Sequence, residues 1–86
     1  MTFEAFVEVR RHPGIADPEG ATIERALPTL GFTGVSGVSV GKAFRLTVEA
    51  EDLEAARTTV AALAERILAN PVLEEVRVSL SEVAPA

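Results

Sequence analysis

The chain has 86 residues, with 8 lysines and arginines against 13 aspartates and glutamates, one histidine and no cysteine. That length holds one domain, residues 1–86, and a chain of this size buries only about 60–65% of the surface its unfolded form exposes, so the core is thin unless a partner completes it. A formal charge of −5 argues against a nucleic-acid surface, and the absence of cysteine excludes disulfides, thiolate metal sites and a thiol nucleophile.

At the N-terminus the odd positions Phe3, Ala5, Val7 and Val9 are apolar and Glu4, Glu8 and Arg10 alternate with them, which predicts a strand with one wet face carrying Phe6. Asp17-Pro18 predicts a helix start, with the aspartate as N-cap and proline at the first helical position, where no N–H is needed. Ile23, Ala26, Leu27 and Leu30 follow at helical spacing; Pro28 predicts a kink or an end near Leu27, and Gly31 a stop. Val35, Val38 and Val40 predict a second, glycine-interrupted strand, joined by a tight Gly41-Lys42 turn to a third in which Phe44, Leu46 and Val48 alternate with Arg45, Thr47 and Glu49. Asp52 predicts the cap of a longer helix whose stripe is Leu53, Ala56, Val60, Leu63, Ala64, Ile67 and Leu68, ended by Pro71. Val76, Val78 and Leu80 predict the last strand, and residues 84–86 a frayed tail.

The predicted order is β-α-β-β-α-β, an α+β two-layer sandwich with two helices on one face of a mainly antiparallel sheet. Its uncovered face carries Phe6, Ala43, Arg45 and Thr47, and the expectation is a homo-oligomer formed through that open face or the sheet edges. An acidic N-terminal segment without a basic run, and no apolar stretch of spanning length, predict a cytoplasmic protein away from membranes.

Chemistry is sparse. His12 is the only side chain with an ordinary pKa near neutrality, and with no partner in sequence it reads as a surface loop residue. Glu51-Asp52 reads as helix N-terminal charge and Glu74-Glu75 as the solvated start of a strand, since neighbouring carboxylates point apart and calcium-loop spacing is missing. The run Gly34-x-x-Gly37-x-x-x-Gly41-Lys42 departs from a phosphate-binding loop: Ala43 follows the lysine, and a strand stands where that loop needs a helix.

Three stretches, Gly14-Ile15-Ala16-Asp17-Pro18-Glu19-Gly20, Val38-Ser39-Val40-Gly41-Lys42 and Leu68-Ala69-Asn70-Pro71-Val72-Leu73-Glu74, together resemble PurS, the small subunit of bacterial phosphoribosylformylglycinamidine synthase (EC 6.3.5.3). The resemblance runs from Phe3 to about Val83 and departs from the family's usual residues at His12, Ala16, Glu19 and Ser39. It implies a non-catalytic subunit, a homodimer or homotetramer, that bridges a large synthetase subunit (PurL) and a glutaminase subunit (PurQ) for ammonia transfer. It places ATP and magnesium on the large subunit and no cofactor on this chain. Asp17, Pro18, Glu19, Gly20 and Lys42 are the implied partner contacts, with Arg45 added from the open face. A different class stays open on the same element order: a regulatory α+β module that binds a small molecule.

Overall fold

The computed structural model describes residues 1–83. Strand β1 (Thr2–Arg11) is followed by helix α1 (Pro18–Ala26), a short 3₁₀ turn (Pro28–Leu30), strand β2 (Lys42–Glu49), helix α2 (Leu53–Leu63) running into a π-helical turn (Ala64–Leu68), and strand β3 (Glu74–Glu82). The strands form one antiparallel sheet in the order β2-β1-β3.

The period-2 pattern of β1 places Phe3, Ala5, Val7 and Val9 in the core, each at most 1% exposed. Register extends that face sideways: Val48, Leu46 and Phe44 stand opposite Phe3, Ala5 and Val7 on β2, and Leu80, Val78 and Val76 opposite Ala5, Val7 and Val9 on β3. Helix α2 covers it with Ala56 and Val60, and the π-helical turn continues the row with Ala64, spaced four apart and fully buried, so this segment approaches the sheet on small side chains. Asp52 caps it, accepting from the Ala55 amide at 2.8 Å. Leu63 is half-buried, and the outer members of the predicted stripe, Leu53 and Ile67, are exposed.

Two expectations are corrected. The segment from Val35 to Val40 is not a strand: Gly34 and Gly37 take φ of 79° and 72°, which breaks an extended run, and the amides of Val38 and Val40 donate to Glu24 and Asp17 side chains instead of to a sheet. The element order is therefore β-α-β-α-β within the α+β class, and Gly41-Lys42 leads into β2 rather than turning between two strands. Second, only α2 lies on the sheet; α1 stands off its end, tied to the 38–40 segment. The break near Leu27 is where Pro28 places it, with Gly31 closing the 3₁₀ turn at φ 92°. The tail expected at 84–86 lies outside the described residues.

Because α1 does not fold back, the molecule is drawn out: its radius of gyration is 16.8 Å, against about 12 Å for a compact chain of this length. Its accessible surface is 6190 Å², roughly 1,300 Å² more than a folded monomer of 9.1 kDa typically exposes. Residues 18–39 form an arm in which Gly20 alone is buried, while Ile23, Leu30, Phe32 and Val35 are 44–68% exposed.

Candidate functional site

The arm leaves and rejoins the sheet at the end formed by Arg11 and Lys42, and most of the residues singled out in the sequence meet there. Asp17 is the centre. Its Oδ1 accepts from the Gly20 amide at 3.0 Å and from Arg11 Nη1 at 3.1 Å, and its Oδ2 accepts from the Val40 amide at 2.8 Å. One carboxylate thus caps α1 and pins the helix to a segment 23 residues away. Arg11 also donates to the Val40 carbonyl at 3.3 Å. The bonds from Val40 and then Gly20, with the Arg11 charge beside them, hold the Asp17 carboxyl below its ordinary value of 3.8.

That depression gives stability a sign with pH. A carboxyl that binds protons more weakly when folded stabilises the fold above its unfolded pKa, and the contribution is lost as pH falls through the lower folded value. The expected result is that Asp17→Asn lowers the melting temperature at neutral pH, and that the gap to the unaltered chain narrows below about pH 4. Paired melting curves across that range check it.

The glycines of the motifs have steric reasons. A Cβ on Gly41 would lie 2.5 Å from the Val9 carbonyl oxygen, and one on Gly20 would lie 2.6 Å from the Val38 carbonyl oxygen and 2.5 Å from Asp17 Oδ2. Both are points where backbone passes backbone. Gly41→Ala is expected to cost about 1–3 kcal/mol by forcing β2 away from β1, read as a lower urea midpoint. Pro18 occupies the first helical turn and Glu19 the acidic position beside it, exposed. Lys42, the one lysine in the chain, stands exposed at the start of β2, opposite Val9 and toward the helix side. Arg45 is not part of this group. It pairs with Phe6 on the open face, its guanidinium 5.9 Å from the centre of the Phe6 ring.

At the same end of the sheet, His12 does more than decorate a loop. Its Nε2 donates to the Pro71 carbonyl at 3.0 Å, its amide donates to the Leu73 carbonyl at 2.9 Å, and Nδ1 lies 3.9 Å from Glu75. The Asn70-Pro71 motif is a turn held by its own side chains: Asn70 Oδ1 accepts from the Val72 amide at 3.1 Å, and Glu74 Oε1 accepts from the Asn70 amide at 2.8 Å. Glu74 is therefore a turn clasp rather than a solvated charge. A cleft of about 280 Å³ lies between these two knots, lined by residues that include Arg10, Arg11, His12, Asp17, Ser39 and Glu75. Its arginines are engaged, Arg11 by Asp17 and Arg10 by Glu75 at 3.5 Å. Among the described residues, no group of three or more His, Asp or Glu side chains is placed to hold a metal ion, and no helix is long and apolar enough to cross a membrane.

Sequence reasoning located Asp17 as a cap and missed Arg11, Glu24 and Val40, which the fold brings to it or beside it. The available signal was an arginine six residues before a capping aspartate, too common a spacing to single out.

The chain is a small α+β protein with an open sheet face and an arm that carries exposed apolar side chains. Residues 4–82 match the family model "PurS: Phosphoribosylformylglycinamidine (FGAM) synthase". The PurS subunit of phosphoribosylformylglycinamidine synthase from Archaeoglobus fulgidus is 40% identical over 75 residues, which are 87% of this chain and 91% of that one. The solved PurS subunit of Thermotoga maritima superposes with a TM-score of 0.87 at 36% identity, covering 94% of this chain and 93% of the other. A chain in the structure of PurLQS from the same organism gives a TM-score of 0.87 and covers 94% and 99%. The chain belongs to the PurS family, subunits of phosphoribosylformylglycinamidine synthase in purine biosynthesis.

Proposed function

We propose that this chain, acting as one PurS-like domain, is the non-catalytic subunit that joins the large synthetase subunit PurL to the glutaminase subunit PurQ, so that ammonia released by one is used by the other. The observation that carries this reading is the near full-length match to a chain of the PurLQS assembly. ATP and magnesium belong on the large subunit in this reading, and the setting is the cytoplasm. The exposed Lys42 and the Asp17–Gly20 segment beside it are the proposed partner contacts, with Arg45 on the separate open face.

The subunit acts as a homodimer or homotetramer. The excess surface of roughly 1,300 Å² is of the order that a stable interface removes from a partner, about 800 Å² each. The arm's exposed apolar side chains suit an unfinished part of the core: Phe44, Leu46 and Val48 on β2 are only half-buried, as are Val76, Val78 and Leu80 on β3, and of the two edge strands α2 lies more along β3. This moves the favoured contact from the open face to the arm, which lays Ile23, Leu30 and Phe32 on the helix side of β2 in a second copy.

The test of the assembly role is glutamine-dependent synthesis by PurL and PurQ from the same source, with and without this chain. Omission is expected to lower the glutamine-dependent rate sharply and the ammonia-dependent rate much less. Equal rates with and without the chain would overturn the reading.

A further inference from the structure

The arm is attached to the sheet by polar links, not by packing. Of residues 18–39, Gly20 alone is buried, so little apolar contact fixes the direction in which the arm projects. The foot before the arm carries a glycine in the left-handed region, Gly14 at φ 86°, backbone that turns without a side-chain barrier. The links across the two feet involve Asp17, Arg11 and Val40: Val40 N–H to Asp17 at 2.8 Å, Arg11 to Asp17 at 3.1 Å and Arg11 to the Val40 carbonyl at 3.3 Å. Arg11 ends β1, so it ties the knot to the central strand. The remaining link, Val38 N–H to Glu24 at 2.8 Å, lies within the arm and makes it a unit without orienting it.

We propose that Asp17, anchored by Arg11, is a latch that sets the direction of the arm relative to the sheet, and that removing it frees the arm as a unit while the sheet and α2 stay folded. Asp17 is then a positioning residue for the arm: it strengthens docking of a second copy by holding the apolar side of the arm in place beforehand, whether or not it also meets a larger subunit. That consequence rests on the reading of the arm as the contact with a second copy; the mechanics of the latch do not.

The absence of cysteine allows clean labelling. Spin labels at Thr29→Cys on the arm and Ser79→Cys on β3, in full-length chain diluted with unlabelled chain, report the intrachain distance. The expected result is one narrow distribution for the parent, a broad one with Asp17→Ala, and an intermediate one with Asp17→Asn, which keeps a single acceptor oxygen. Asp52→Ala is the control, because Asp52 caps α2 through Ala55 and, among the described residues, its side chain bonds to no other segment; it is expected to leave the distance narrow. Amide exchange at Val40 is expected to quicken about tenfold in Asp17→Ala, the factor one hydrogen bond of ordinary net strength corresponds to, with Val7 unchanged. A narrow distribution and a protected Val40 in Asp17→Ala would overturn the latch, as would equal broadening by Asp52→Ala. If Asp17→Ala does not fold, Asp17→Asn decides in the same way: broadening supports the latch and a parent-like distance overturns it. Sedimentation of the same samples separates the two readings. Broadening with unaltered self-association keeps the latch and removes the arm as the dimer contact; weakened association with a narrow distance overturns the latch alone.

Discussion

Phe3→Ala is expected to cost about 3–5 kcal/mol, the range for truncating a buried aromatic, in a chain whose whole stability is of the order of 4–13 kcal/mol. Phe3 is 1% exposed and is the largest of the fully buried side chains. It lies near one end of the central strand, beside Val48 on β2 and Glu82 on β3, so the cavity opens where the first and last pairings of the sheet meet. Few other side chains could fill it, because most of the remaining core is valine and alanine. At about 4–8 °C for each kcal/mol in a domain this small, the melting temperature is expected to fall by more than ten degrees. Phe6→Ala is the internal comparison: the same residue type three positions on, 38% exposed on the other face, where the loss is of partial burial and the stacking of Arg45 and is expected to be smaller than at Phe3. Urea unfolding of both variants checks the pair; equal losses would mean that Phe6 is as deeply buried as Phe3, and a larger loss at Phe6 that the inward and outward faces of β1 have been exchanged.

What could be read from the sequence divides by how far the cause reaches along the chain. The alternation in β1, the caps Asp17 and Asp52, and the break at Pro28 depend on neighbours within a turn or a few residues, and each appears in the structure as the pattern predicts. The segment from Val35 to Val40 misleads for the same reason. Its valines alternate as a strand should, but the amides of Val38 and Val40 are taken by carboxylates 14 and 23 residues earlier, a competition no local window contains. The π-helical turn at Ala64–Leu68 is also invisible, since its i→i−5 bond from Ala69 to Ala64 changes which residues face the sheet by only a fraction of a turn.

The candidate site was legible in a similar, partial way. Gly20 and Gly41 stood out as motif glycines, but the reason for each is a carbonyl oxygen from another segment, Val38 and Val9 respectively. The position of α1 was the larger miss. Amphipathic spacing predicts that a helix buries one side, and α1 has that spacing, but periodicity carries no address for what covers the apolar side. Among the described residues nothing covers Ile23, and α1 stands off the sheet, so the expectation of two helices on one sheet face fails for α1.

That exposure leads to the second large effect. Replacing Leu30 and Phe32 together by aspartate is expected to separate the homo-oligomer while leaving each chain folded. Both residues are more than half exposed, Leu30 at 68% and Phe32 at 59%, so in the single chain the substitutions remove little burial and add charge where water already stands. In the proposed contact with a second copy the same side chains would be covered, each contributing about 1.5–3 kcal/mol of burial, and an aspartate left unpaired there would add a desolvation cost. Loss of the burial alone raises the dissociation constant about 10²- to 10⁴-fold. Sedimentation across a concentration series reads that change, and the circular dichroism of dilute samples reads whether the fold survives. Retained association with an intact fold would return the contact to the open face, where Phe6 and Arg45 would be the next pair to alter. Loss of the fold together with the assembly would show that β2 cannot stand without the partner's arm over Phe44, Leu46 and Val48, and dissociation of folded chains would show that the core closed by α2 is sufficient by itself.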